Sequence, residues 1–313
     1  MMQDSYIDTV RLLLDIAPYV FDTRVLAMKG GTALNLFHQG IPRLSVDIDV
    51  AFVDHVPQRD AALQQINREL QRARLAIEDL GYRVDMRNLT PSARNKGEDI
   101  KLVVSSGLAE VKVEVNYVFR GTLLPVQNVE LAESAQEMFD VGLSLPTLDV
   151  AELYGSKLVA AMDRQHPRDI FDVLRMYESY GLRPEFVDCF VGYLAGHNRP
   201  PHEVISPAPK PLAGAYAADF VGMTSDPISL EELNAVRTRL MTELPRALTN
   251  NHKTFLMSLV KTQPDWTLMR FSHLQDLPAI RWKLQNLERL RDSNAARFHE
   301  QALLLQQCLD RVD

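Results

Sequence analysis

Two aspartates separated by one apolar residue, Asp47 and Asp49 in LSVDIDVAF, form the clearest chemical pattern in the chain. The run alternates polar and apolar residues at period two, which predicts a strand. Side chains two positions apart in a strand share a face, so Asp47 and Asp49 point together, about 7 Å apart, while Val46, Ile48 and Val50 pack the other way. Two carboxylates this close repel each other, and a divalent cation relieves the conflict. Mg²⁺ suits such a pair, because it takes oxygen ligands and binds through one or two carboxylates plus the phosphates of a substrate. A solvated acidic face on an edge strand would produce the same spacing, so the pair needs support from its surroundings.

That support comes from the residues just upstream. RVLAMKG reads as a short strand ending in Gly30 and Gly31, with Thr32 placed to cap a helix, TALNLFHQ, that stops at Gly40 before Pro42. Paired glycines let the backbone approach a ligand, and a helix start presents free N–H groups and a positive dipole end to phosphate. The stretch matches neither GxGxxG nor GxxxxGK[ST]. Ser45 falls on the same strand face as the aspartates, where its hydroxyl can bond a phosphate or orient Asp47. Further on, EVKVEVNYV places Lys112, Glu114 and Asn116 opposite a valine face, so Glu114 is either a third catalytic carboxylate, if its strand neighbours that of the aspartates, or an exposed acid.

A second cluster lies in KLVAAMDRQHPRDIFDV. Lys157 sits at the edge of an apolar helix stripe and can reach triphosphate oxygens, or simply snorkel. Asp169 occupies the first turn of the next helix, where an acid stabilises the helix dipole without further function. Asp172, one turn on, can hold Lys157 toward a phosphate or form a structural ion pair across the hairpin.

The elements that must position these groups divide the chain. Residues 1–148 read as an α/β (α+β) core with a mixed sheet: a helix over 4–21, the strand and helix around Gly30, the aspartate strand, a helix over 58–80, and strands in YRVDMRNL, DIKLVVSS and EVKVEVNYVFR. Residues 149–313 read as a mainly helical domain that begins with the Lys/Asp cluster and contains one proline-dense stretch, HNRPPHEVISPAPKPLAG, expected to be an extended connector. With 313 residues, 46% hydrophobic and 24% charged, the chain has the composition of a folded globular protein. Its net charge of −7 restricts any nucleic-acid contact to a local basic patch. The N-terminal segment reads as an amphipathic helix and not a signal peptide, and no apolar run reaches bilayer-spanning length, which implies no membrane partner. Two distant cysteines, Cys189 and Cys308, fit a reducing cytoplasm, and the eight histidines show no zinc-ligand spacing.

KGGTALNLFHQGIPRLSVDIDV, followed by SKLVAAMDRQHPRDIFDV and by PDWTLMRF…LPAIRWKLQNL, resembles the nucleotidyltransferase toxins of the AbiEii/AbiGii group. These belong to the polymerase-beta-like superfamily and occur in type IV toxin–antitoxin and phage-defence loci. The resemblance implies that Gly30, Gly31 and Ser45 embrace nucleotide phosphates, with Thr32 at the helix start, and that Asp47 and Asp49 hold Mg²⁺. It further implies that Lys157 contacts the triphosphate and that Asp172 supports catalysis, with Asp169 as the alternative. Glu114 stands at the superfamily's third carboxylate, a position that varies among relatives.

The expected activity is Mg-dependent transfer of a nucleoside monophosphate from an NTP to an RNA 3′ end, foremost tRNA, which would block translation in the cytoplasm. A DNA-binding antitoxin is the implied functional partner. The rival readings are nucleotidylation of a protein or small-molecule hydroxyl, and a non-catalytic nucleotide-binding module that works through protein contacts. For RNA, Arg68, Arg72, Arg74, Arg83, Arg87, Arg94 and Lys96 form either a phosphate-binding rim or a solvated helix face and loop.

Overall fold

The computed structural model describes residues 4–88 and 100–311. The chain forms two compact units. One comprises residues 1–150 together with 222–227, and the other comprises 151–221 and 228–313.

The first unit is built on a seven-stranded mixed sheet. Its strands are β1 (Leu26–Lys29), β2 (Asp47–Phe52), β3 (Arg83–Asn88), β4 (Ile100–Ser105), β5 (Glu110–Asn116), β6 (Gln127–Glu130) and β7 (Ser144–Thr147), in spatial order β3-β4-β5-β2-β1-β7-β6. The β2–β5 and β1–β7 pairs are parallel and the other four are antiparallel. Helices α1 (Asp4–Phe21) and α3 (Arg59–Asp79) lie against the sheet. Both are amphipathic, and Val10, Leu13, Ala17, Ile66, Leu70 and Ile77 are fully buried. They cover the face to which Ile48, Val50, Val111 and Val113 contribute, all at 0% exposure. The opposite pleat of β2 and β5 holds Asp47, Asp49, Lys112 and Glu114, so period-two alternation puts the acids on the face away from this core.

A helix follows β1 directly. It starts as α2 (Gly30–Thr32) and continues as a π-helical turn over Ala33–His38. Helix α4 (Glu133–Phe139) connects the short strands β6 and β7, elements that the sequence does not announce. Residues 222–227 supply the last part of the unit: Leu44 N donates to Met223 O at 2.8 Å, Ser225 N to Pro42 O at 3.2 Å, and Arg43 bridges Thr224.

The second unit is helical. It contains α5 (Val150–Asp163, whose first residue belongs to the sheet unit), α6 (Pro167–Ser179), α7 (Pro184–Ala195), α8 (Pro201–Ile205), α9 (Ala213–Asp219), α10 (Leu230–Arg246), α11 (Asn250–Val260), α12 (Pro278–Ser293) and α13 (Ala295–Asp310). The α5–α7 crossing is close because of Gly155: a Cβ there would overlap Cys189 and the backbone at Phe190. The proline-dense stretch is not wholly an extended connector. Pro200 and Pro201 open α8, since proline fits the first helical turn, and Val204 and Ile205 drive its docking at 0% and 1% exposure.

Candidate active site

In the sheet unit the register sets a row of charges across four strands. Asp49 is paired in register with Glu114 of β5 on one side and with Lys29 of β1 on the other. Glu114 in turn is paired with Lys101 of β4, and the two side chains form an ion pair at 3.4 Å. Asp47 stands in register with Lys112. The order Lys101, Glu114, Asp49, Lys29 therefore sets two adjacent carboxylates between two lysines on one face, with like charges side by side where β5 meets β2 and opposite charges at each flank. Glu114 lies beside Asp49, as expected for adjacent strands, and already has a lysine partner.

The Gly-Gly turn meets this row at Asp49. Gly30 has φ +76°, in the left-handed region, and a Cβ on it would overlap the Asp49 carboxylate. Only glycine satisfies both conditions. At Gly31 a Cβ would come 2.6 Å from Arg43 Nη2 and 3.2 Å from Ser45 Oγ. Arg43 is 3% exposed, with Nη1 donating to Leu44 O at 3.0 Å, so a buried guanidinium lies against the turn.

Thr32 does not cap the helix. The helix begins two residues earlier, with Lys29 at the N-cap position and no side-chain cap. Thr32 is fully buried, and its hydroxyl donates to Asp47 O at 2.5 Å and lies 2.9 Å from Ser45 Oγ. It ties the helix start to the first residue of the aspartate strand. Ser45 precedes β2 instead of extending it, which places its hydroxyl beside Gly31 and Thr32. The π-helical turn behind the glycines is a rare form concentrated at functional sites, and nothing in the local residue pattern signals it.

In the helical unit, Lys157 is 7% exposed and its Nζ contacts two acids, Asp169 Oδ1 at 3.0 Å and Asp172 Oδ2 at 2.8 Å. Asp169 and Asp172 are 1% and 0% exposed. Both acids are interior, and Asp172 forms the ion pair to Lys157 across the hairpin. Asp169 also accepts from Arg164 through Nε and, at 2.8 Å, Nη2. Burial alone would raise the Asp169 pKa, yet the Lys157 ammonium and the Arg164 guanidinium hold it well below the usual carboxylate range. His166 caps α6, accepting from Arg168 N, and Pro167 occupies the first turn, which fixes where Asp169 emerges.

Of the arginines assigned to an RNA rim, Arg72 pairs with Asp22 at 3.1 Å and Glu69 at 3.1 Å, and Arg74 with Glu78 at 2.9 Å. Arg68 and Arg83 are exposed. Arg87 is in β3, while Arg94 and Lys96 lie outside the described residues. Sequence reasoning passed over Lys29 and Arg43 as site residues. Lys29 is signalled only by its place before the glycines, and Arg43 only by its two-residue offset from Ser45.

The donor set on β2 fits a hard divalent cation: two carboxylates on one strand face, half-buried and beside a backbone turn that admits no side chain. Among the described residues no group of three or more His, Cys, Asp or Glu side chains has metal-holding geometry.

Comparison with known proteins identifies the lineage. The family described as "Nucleotidyl transferase AbiEii toxin, Type IV TA system" matches residues 11–286. The fold is similar to that of MenT4, a nucleotidyltransferase toxin from Mycobacterium tuberculosis H37Rv, with a TM-score of 0.59 and 18% identity over 91% of this chain and 95% of that one. No curated protein matches the chain. The chain belongs to the AbiEii family of nucleotidyltransferase toxins of type IV toxin–antitoxin systems, a membership that implies an antitoxin partner. Among the described residues no helix is long and apolar enough to cross a membrane.

Proposed function

We propose that this AbiEii-family transferase moves a nucleoside monophosphate from an NTP to the 3′ hydroxyl of RNA, with tRNA as the acceptor and a block in translation as the outcome. The observation that carries this reading is the contact of the Asp49 carboxylate with Gly30. The acid that would hold a metal and the turn that would admit phosphate form one rigid element.

Asp47 and Asp49 would hold Mg²⁺, which supplies Lewis-acid polarisation of the α-phosphate and lowers the pKa of the attacking hydroxyl. The amide groups of Gly30 and Gly31, at the start of a helix, donate to phosphate oxygens. Thr32 and Ser45 fix that helix start to the aspartate strand, and the buried Arg43 guanidinium adds positive charge beside Gly31. Lys157 supplies an ammonium for the triphosphate, held in one rotamer by Asp169 and Asp172. Glu114 tunes the charge row next to Asp49 and, when released from Lys101, is available as a third carboxylate. Attack on the α-phosphorus forms the new phosphodiester bond and expels pyrophosphate.

The test is incubation of the purified chain with each α-labelled NTP, Mg²⁺ and total RNA, followed by separation of RNA from protein. Label should appear on tRNA, and periodate oxidation of the tRNA 3′ end should abolish it. Label on protein, or on oxidised tRNA as strongly as on intact tRNA, would overturn the assignment of the acceptor.

A further inference from the structure

A cleft of about 250 Å³ opens in the helical unit, lined by residues outside the Lys157 cluster and contributed by the α7–α8 loop, α8, α12 and α13. Its lining includes Lys283, Arg297, Asn198, Asn286, Gln301 and Glu203, with Leu287 and Leu290 as an apolar side. Lys283 is 6% exposed, and its ammonium donates to two backbone carbonyls, Arg199 O at 2.8 Å and Asn198 O at 3.4 Å. Among the described residues no acid forms an ion pair with Lys283 or Arg297. Glu203 is engaged elsewhere, by Arg199 Nη2 at 2.8 Å. A buried ammonium with carbonyl partners alone bears a desolvation cost that an incoming anion would offset. Consistent with that, burial pushes the Lys283 ammonium down to about 8 against the pull of Glu203.

We propose that this cleft is a nucleotide subsite in which Lys283 and Arg297 take a phosphate, the amides of Asn198, Asn286 and Gln301 take the polar edge of the attached base, and Leu287 and Leu290 meet its face. Two cations, three amides and an apolar wall are the complement that a nucleotide requires and that a bare inorganic anion does not. The volume lies below the roughly 300 Å³ at which drug-sized pockets begin, which suits a single nucleotide unit and not a folded oligonucleotide. The source is either a free nucleotide or one residue of an RNA strand. Only the second source rests on the proposed acceptor, and binding is measurable without transfer.

The experiment is calorimetric titration of the full chain carrying Asp47→Asn and Asp49→Asn, without divalent cations, against AMP, adenosine and hexa-adenylate. AMP or the hexamer should bind, and adenosine should bind much more weakly. Arg297→Gln, at an exposed position, should weaken phosphate-dependent binding about tenfold, and Lys283→Met should weaken it further. If Lys283→Met fails to fold for loss of its carbonyl contacts, Arg297→Gln decides the matter.

Affinity for hexa-adenylate should also fall as pH rises through about 8, where the ammonium loses its proton, and this dependence should vanish in Lys283→Met. The other charged or titratable groups near Lys283 are His197 and Arg199 in the loop after α7, His202 and Glu203 on α8, and Arg297 and Glu300 on α13. Burial lowers His197 and His202, so they stay neutral across that range. AMP binding without hexamer binding identifies a free-nucleotide pocket, and the reverse identifies an RNA-strand subsite. Equal affinity in parent and Arg297→Gln, or no phosphate-dependent binding in the parent, overturns the proposal. Because no transfer is measured, failure of RNA labelling leaves this result independent.

Discussion

The aspartate strand and the α5–α6 hairpin both carry paired acids, yet the two pairs are held in opposite ways. Asp47 and Asp49 are displayed half-buried by strand alternation, on the face that the apolar core leaves free. Asp169 and Asp172 are interior and already compensated by Lys157, with Arg164 adding a second cation to Asp169. Under the proposed function the strand pair takes a cation from outside, while the hairpin pair holds one supplied by the chain. Removing charge should relax the first region and damage the second.

The sharpest way to break this contrast is to neutralise each region and read activity and stability together. Asp47→Asn or Asp49→Asn should reduce NTP-dependent labelling of RNA by roughly 10³-fold or more, as expected for loss of a metal ligand at the reacting phosphate. The denaturation midpoint should stay unchanged or rise, because like-charge repulsion is removed. A variant that melts early would mean that the strand acids are structural.

Lys157→Met should do the reverse, lowering stability by about 3–5 kcal/mol in urea titration because two buried carboxylates lose their shared cation. Adding Asp172→Asn to Lys157→Met should restore part of that loss without restoring transfer. A Lys157→Met chain as stable as the parent would show that the hairpin cluster is not closed as described.

Gly30→Ala tests the seam between turn and strand. Its positive φ and the overlap with Asp49 should cost about 1–3 kcal/mol and depress labelling as Asp49 shifts, whereas Gly31→Ala meets the end of the Arg43 side chain and should act more mildly. The smallest effect belongs to the rim. Arg74→Gln should change stability by at most about 0.5 kcal/mol, since its bond to Glu78 is a half-exposed helix pair. Joint replacement of Arg68 and Arg83 should flatten the salt dependence of RNA binding if the rim guides the acceptor.

Much of the scaffold was legible because its periodicities are strong. The alternation in LSVDIDVAF and EVKVEVNYV specified β2 and β5, and their acids fell on one face as expected. Helices α1, α3, α5 and α6 followed from apolar stripes and, for α6, from the His166-Pro167 start. Strands β6 and β7 were not legible, because each has four residues and QNVE and SLPT carry little β pattern. The interior placement of Asp169 and Asp172 was hidden for another reason: charged residues are exposed by default unless paired, and the partners Lys157 and Arg164 come from the preceding helix and its C-terminal end. Thr32 misled because a threonine near a helix start is ordinarily a cap, and here a strand carbonyl competed for its hydroxyl.

The return of residues 222–227 to the sheet unit bears on how such a chain can be cut or shuffled. Met223 and Ser225 satisfy backbone groups of Leu44 and Pro42, next to Arg43 and just ahead of the aspartate strand. A gene fragment ending at residue 150 would encode every strand among the described residues and still lack this six-residue stitch. The sheet unit is therefore not an exchangeable cassette. A single breakpoint between residues 150 and 222 would separate its two parts, so exchanging the unit whole requires joints at three places in the chain.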